Sequence, residues 1–204
     1  MATAKAPWKQ LLLDAIESNS SFKHSSYFQL ATIGSNGRPS NRTVVFRGFE
    51  ESSEKIKINT DARTRKIEEL KKCPFAEICW YFTDSWEQFR ISGRIDVIDG
   101  SNPDSMKLQQ REKSWFASSM KSRLQYLGAS PGLPNISEQQ TQELFLDPST
   151  GPVASFCLLV LDPDQVLLLL YRFLSFLQKN LLYIFINSLQ MTLVFLFLGF
   201  LFNF

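Results

Sequence analysis

From Tyr27 to Ile98 the chain repeats one pattern, a short run of β-branched and aromatic residues followed by turn chemistry. Tyr27-Phe28-Gln29-Leu30-Ala31-Thr32-Ile33 is the first run, and Gly34-Ser35-Asn36-Gly37 follows it with the Asn-Gly pair that favours tight hairpins. Arg42-Thr43-Val44-Val45-Phe46-Arg47 reads as the returning strand, and Lys55-Ile56-Lys57-Ile58-Asn59-Thr60 as a third with clean alternation. Ala76 to Phe82 and Trp86 to Ile98 supply two more, and Val153 to Leu161 a closing one. Short strands joined by hairpins, with few helices between them, predict an antiparallel barrel rather than a βαβ sheet.

Helices are predicted at three places. Trp8, Leu11, Leu12, Ala15 and Ile16 recur at helical spacing. A second helix follows Asp61 as its cap, turns Ile67 and Leu70 inward, and stops at Pro74. Residues 103–126 read as a third helical stretch, before the loop Ser130-Pro131-Gly132-Leu133-Pro134.

Composition changes at residue 166. Residues 166–204 hold no Asp or Glu and only Arg172 and Lys179 as cations, so the first 165 residues carry 20 of the 22 basic side chains and all 20 acidic ones. The division expected is a domain over 1–165, C-terminally incomplete, and a hydrophobic, helical tail over 166–204. Two readings of the tail stand side by side. Leu181 to Phe202 is long enough to cross a bilayer, which takes about 20 apolar residues. The same Phe, Leu, Ile, Tyr and Asn are also what thymine-rich non-coding DNA encodes, as in a retained intron.

The bulk numbers narrow the function. A net charge of +2, with basic residues balanced by acidic ones, gives no footprint for nucleic acid. Cys73, Cys79 and Cys157 form no CxxC pair, and His24 is the lone histidine, so neither a zinc site nor a Ser-His-Asp triad is expected. The N-terminus runs into an amphipathic segment without an apolar signal core, which places the globular part in the cytoplasm or an organelle matrix, with membrane association through 181–202 if the tail is an anchor.

At Arg42-Thr43-Val44-Val45-Phe46-Arg47 the sequence resembles the pyridoxamine 5′-phosphate oxidase-like family of FMN-binding split β-barrels, in its shorter branch. The match continues in order over roughly residues 8–163. The resemblance implies a mainly β fold with flanking helices, a six-stranded antiparallel split barrel, a homodimer and FMN as cofactor. It places Arg42 at the FMN phosphate or ribityl chain, with Thr43, Val44 and Val45 beside the ring. Asn59-Thr60 matches the strand-end pair that contacts flavin, Arg65-Lys66 the pair that binds phosphate, and Gln88 the amide that meets the isoalloxazine. Trp115 with Ser119 matches, loosely, a segment contributed across the dimer. Arg47 and Arg111 are the implied holders of a small-molecule substrate's phosphate, with Arg123 behind them.

The chemistry suits these residue types: a phosphate dianion needs charge-assisted donors, and a glutamine amide both donates and accepts, as the flavin edge requires. The implied activity is oxidation of pyridoxamine or pyridoxine 5′-phosphate, or a related molecule, by hydride transfer to flavin and reoxidation by O₂. The chain departs from the longer oxidases in having no histidine after His24, where they carry an Arg-x-His motif, and in the apolar tail, which stands where a closing strand with Trp and Arg is usual. Two further readings therefore stay open, a non-catalytic FMN-binding or regulatory module and an inactive truncated isoform.

Overall fold

A computed structural model describes residues 7–132, 145–174, 178–187 and 190–197, with side chains described as far as residue 169. Helix α1 (Pro7–Ser18) leads into strands β1 (Tyr27–Ile33), β2 (Pro39–Phe49) and β3 (Ile56–Asp61). Helix α2 (Arg65–Lys72), strands β4 (Phe75–Phe82) and β5 (Glu87–Ile98), helices α3 (Ser105–Phe116) and α4 (Met120–Leu124) and strand β6 (Phe156–Leu174) follow.

The strands hydrogen-bond in the order β3-β2-β1-β4-β5-β6, and β6 also pairs with β3, which closes a six-stranded antiparallel barrel. Closure is made by the first third of β6, where Ile56 faces Leu161 and Asp61 faces Phe156. The same residues pair with the end of β5, Ile98 opposite Leu158. Alternation along each strand drives the collapse: Phe28 and Leu30, Ile56 and Ile58, Ile78 and Trp80, and Phe89 and Ile91 all point inward and are fully buried. Trp80 is the hub, with ring centroids 4.9 Å from Phe28 and 5.1 Å from Phe46.

Beyond Leu161, β6 continues past a bulge opposite Ser92 and Gly93 and runs along the rest of β5 as far as Glu87. Pro163 lies in that bulge, where a missing N–H is tolerated. Gly93 is required there, because a Cβ on it would lie 2.2 Å from the Asp162 carbonyl oxygen.

The tail differs from its sequence expectation. The described part holds no helix long and apolar enough to cross a membrane. Instead β6 runs unbroken through residue 166 to Leu174, and β7 (Gln178–Asn187) and β8 (Gln190–Phe197) extend the sheet from it. A run of Leu and Phe has no period that separates strand from buried helix. The open edge of β6 decides the matter by offering unpaired backbone groups. Much of the 181–202 segment lies where only backbone is described.

The helix expectations hold with one refinement and one correction. Residues 103–126 form two α-helices, because the Ser119 hydroxyl accepts from the Ser122 amide and restarts the chain as the N-cap of α4. Asp61 does not cap α2; Thr64 occupies that position, and the Asp61 carboxylate takes the Arg63 amide and guanidinium instead.

Candidate FMN site

Strand β2 presents two faces. Arg42, Val44 and Phe46 share the inward parity of their partners Leu30 and Phe28, while Thr43 and Val45 lie opposite Gln29 and Tyr27 on the outer one. The outer row runs on through Cys79, which pairs with Gln29, to Tyr81 and Gln88, which pair with each other. Gln88 donates from Nε2 to the Cys79 sulfur at 3.0 Å, which orients its amide on this face. Thr43, Val45 and Gln88 are thus brought to one side of the sheet, with Tyr27 (45% exposed) and Tyr81 (39% exposed) between them.

The cations gather at the barrel end covered by α2. Arg42 donates from Nη1 to Leu30 O, Ser40 O and the Thr32 hydroxyl, and from Nη2 to Glu69 Oε2 at 2.7 Å. Thr32 in turn donates to the same Glu69 oxygen at 2.6 Å. Lys66 is buried, and its ammonium donates to the hydroxyls of Thr60 and Thr64, each at 2.9 Å. Burial first, and the Arg42 charge second, lower its pKa. Arg65, one residue earlier at the first turn of the helix, is exposed.

These residues suit a phosphate. An ammonium carries three hydrogens, and neutral hydroxyls take two of those on Lys66, leaving one and a full charge without a carboxylate ion pair among the described residues. Arg42 likewise keeps Nε and one Nη2 hydrogen beyond the partners given above. The start of α2 adds backbone N–H groups.

Other predicted residues sit differently. Asn59 is held by α3, accepting from Ser114 Oγ at 2.7 Å and donating to Ser118 Oγ at 3.0 Å, so its side chain fixes the helix against β3. Arg47 is exposed on β2, and its charge reaches the half-buried phenol of Tyr126, whose pKa burial pushes up to about 12.

Arg111 is buried and donates to the carbonyls of Phe156 and Val153, so it clamps the chain entering β6. Arg123 is also buried, with Nη1 on Pro148 O. Ser119 is engaged as the α4 cap, and Trp115 packs into its own chain, donating to Thr150 O at 2.8 Å.

Sequence reasoning missed Thr32 and Glu69. A signal existed for the first, since a threonine at an inward strand position after Phe28 and Leu30 must find a buried partner. Glu69 gave none, because an acid amid helix cations reads as a solvated face.

Comparison with known proteins places the chain in a family. Residues 5–99 match the family described as "Pyridoxamine 5'-phosphate oxidase, FMN-binding domain". The chain is 69% identical over 166 residues to pyridoxine/pyridoxamine 5′-phosphate oxidase 2 of Arabidopsis thaliana, covering 81% of this chain and 84% of that protein. Its match to the Myxococcus xanthus pyridoxine/pyridoxamine 5′-phosphate oxidase is 32% identical and covers only 36% of that enzyme. Among solved structures, a pyridoxamine 5′-phosphate oxidase-related, FMN-binding protein of Nostoc punctiforme superposes with a TM-score of 0.84 at 36% identity, covering 95% of this chain and 99% of that one. PhzG of Burkholderia lata shares the fold, with a TM-score of 0.72 at 16% identity, over 96% of this chain and 94% of its own. The chain therefore belongs to the pyridoxamine 5′-phosphate oxidase family of FMN-binding split β-barrels.

Proposed function

We propose that the chain is an FMN-dependent oxidoreductase acting on pyridoxamine or pyridoxine 5′-phosphate or a related small molecule. Lys66 carries the reading: a buried ammonium whose hydrogen-bond partners are hydroxyls awaits an anion, and the FMN phosphate is the anion this family's cofactor brings. Arg42 and Arg65 complete the grip. Thr43, Val45 and Gln88, which share the outer face, would hold the ring.

Bound FMN supplies hydride acceptance and a route to O₂. The protein's own part is to hold and orient. Gln88 fixes the ring edge by a hydrogen bond, and Arg47 takes the substrate phosphate at the exposed end of the same strand. The half-exposed Tyr27 and Tyr81 beside this row suit coverage by a second copy, which would exclude water from the ring and make the protein a homodimer.

Recording the flavin absorbance of purified protein after FMN addition, then peroxide formation with pyridoxamine and with pyridoxine 5′-phosphate, tests the proposal. Bound flavin with peroxide supports an oxidase, and bound flavin without turnover on either phosphate ester supports the non-catalytic module. No retained flavin overturns both. Arg47→Ala is expected to raise KM for the phosphorylated substrate roughly tenfold or more, the worth of one charge-assisted contact, with flavin content unchanged. Steady-state kinetics beside Arg47→Lys checks this, and an unaltered KM removes Arg47 from the substrate site.

A further inference from the structure

The phosphate reading above leaves one buried group without a task. Glu69 is an acid placed among the cations that are to bind an anion, where simple electrostatics makes it a liability. Yet it is 8% exposed and sits at the meeting point of three elements. Its Oε2 receives Arg42 from β2 at 2.7 Å and Thr32 from β1 at 2.6 Å, while Glu69 itself rides on α2. Thr32 links the two a second time, since its hydroxyl accepts from Arg42 Nη1 and donates to Glu69. Among the described residues, the hydrogen bonds of Arg42 thus fall on Nη1 or on one Nη2 hydrogen, and the Nε side of the guanidinium is left over. A guanidinium binds a phosphate best by two parallel N–H groups on one edge, and a free arginine spreads its orientation over several rotamers.

We propose that Glu69 is a positioning residue for cofactor binding: with Thr32 it locks the Arg42 guanidinium so that its Nε side serves the FMN phosphate beside Lys66. The inference rests on the phosphate assignment made above and deepens it. Glu69 remains ionised while doing so. Burial pulls its pKa upward, but hydrogen bonds from Thr32, Ser40 and Arg42, with the Arg42 charge, outweigh that and hold it below its ordinary value. The lock also ties α2 to the barrel, so Lys66, three residues before Glu69 on the same helix, keeps its place relative to Arg42.

Positioning and charge predict opposite signs. If Glu69 acts only through its charge, removing it relieves repulsion and FMN binds more tightly to Glu69→Ala and Glu69→Gln alike. If it positions Arg42, Glu69→Ala weakens FMN binding about tenfold or more, the worth of a charged hydrogen bond. Glu69→Gln keeps an acceptor on Arg42 and Thr32 and stays within roughly threefold of wild type. Riboflavin, which has the ring but no phosphate, separates this from a general loss of structure, and its affinity is expected to change by less than about threefold in both variants.

Flavin-fluorescence titration of the full chain and its variants with FMN and with riboflavin reads all of these. Tighter or unchanged FMN binding in Glu69→Ala overturns the proposal, as does an equal loss of both ligands. Should Glu69→Ala not fold, Thr32→Val decides, with a selective loss of FMN binding expected and unchanged FMN binding fatal. A wild-type protein that binds riboflavin as tightly as FMN sinks the phosphate assignment itself, and the role of Glu69 with it.

Discussion

Replacing Lys66 by Met is expected to weaken FMN binding roughly 10- to 150-fold while the cofactor-free protein melts no lower than wild type. The two effects share one cause. A charge-assisted hydrogen bond to a phosphate is worth about 1.5–3 kcal/mol, which gives that range of affinity. In the free protein the same ammonium is a burden, because burial and the Arg42 charge both disfavour its charged form. Methionine has similar reach and no charge, so the burden disappears along with the grip.

The pH dependence follows in sign. The pKa of Lys66 lies below its ordinary value of 10.5 in the folded chain. Below that folded value, both folded and unfolded states hold the proton and the burial penalty is present in full. Between it and 10.5 the native state sheds a proton that the unfolded state keeps, so stability rises with pH. Lys66→Met is expected to flatten that alkaline rise, as thermal melts of both proteins without flavin would record. A variant that melts well below wild type, or that binds FMN undiminished, contradicts the assignment.

Gly93→Ala carries the largest expected loss of stability. Its Cβ would lie 2.2 Å from Asp162 O, 2.9 Å from Asp162 C and 3.0 Å from Pro163 Cα, all of them backbone atoms. No side-chain rotation relieves such contacts. Either the bulge opens and the β5–β6 ladder is lost around it, or the two strands separate, at a cost of about 3 kcal/mol or more. Gly151→Ala is the matching control, since a Cβ there meets nothing within 4 Å. Urea melts should place the control within roughly 0.5 kcal/mol of wild type and Gly93→Ala far below it. Similar midpoints for the two would show that the β5–β6 approach is not tight.

The barrel was legible because its strands alternate cleanly. Lys55 to Thr60 reads inward and outward residue by residue, and it folds that way. Motif order singled out Arg42, Arg65 and Lys66, but not how each of them stands in the fold. Arg65 and Lys66 look alike in the sequence, whereas one is exposed and the other buried under Thr60. The contacts of Arg111 were not legible, because an arginine's place depends on what its fork finds, and here it finds two backbone carbonyls. The tail was not legible for another reason. Leucine serves helix and strand equally, and only the free edge of β6, a tertiary fact, selects between them.

The double pairing of β6 has a kinetic consequence. Ile56 meets Leu161 across about a hundred residues of intervening chain, so the ring of strands stays open until nearly all of the domain has left the ribosome. During that interval β3 and β5 each hold out a bare hydrogen-bonding edge, and Ile56, Ile58 and Ile91 face water instead of one another. The nascent chain is then a natural client for a chaperone, and lowering the temperature or slowing synthesis during expression should favour soluble protein over aggregate.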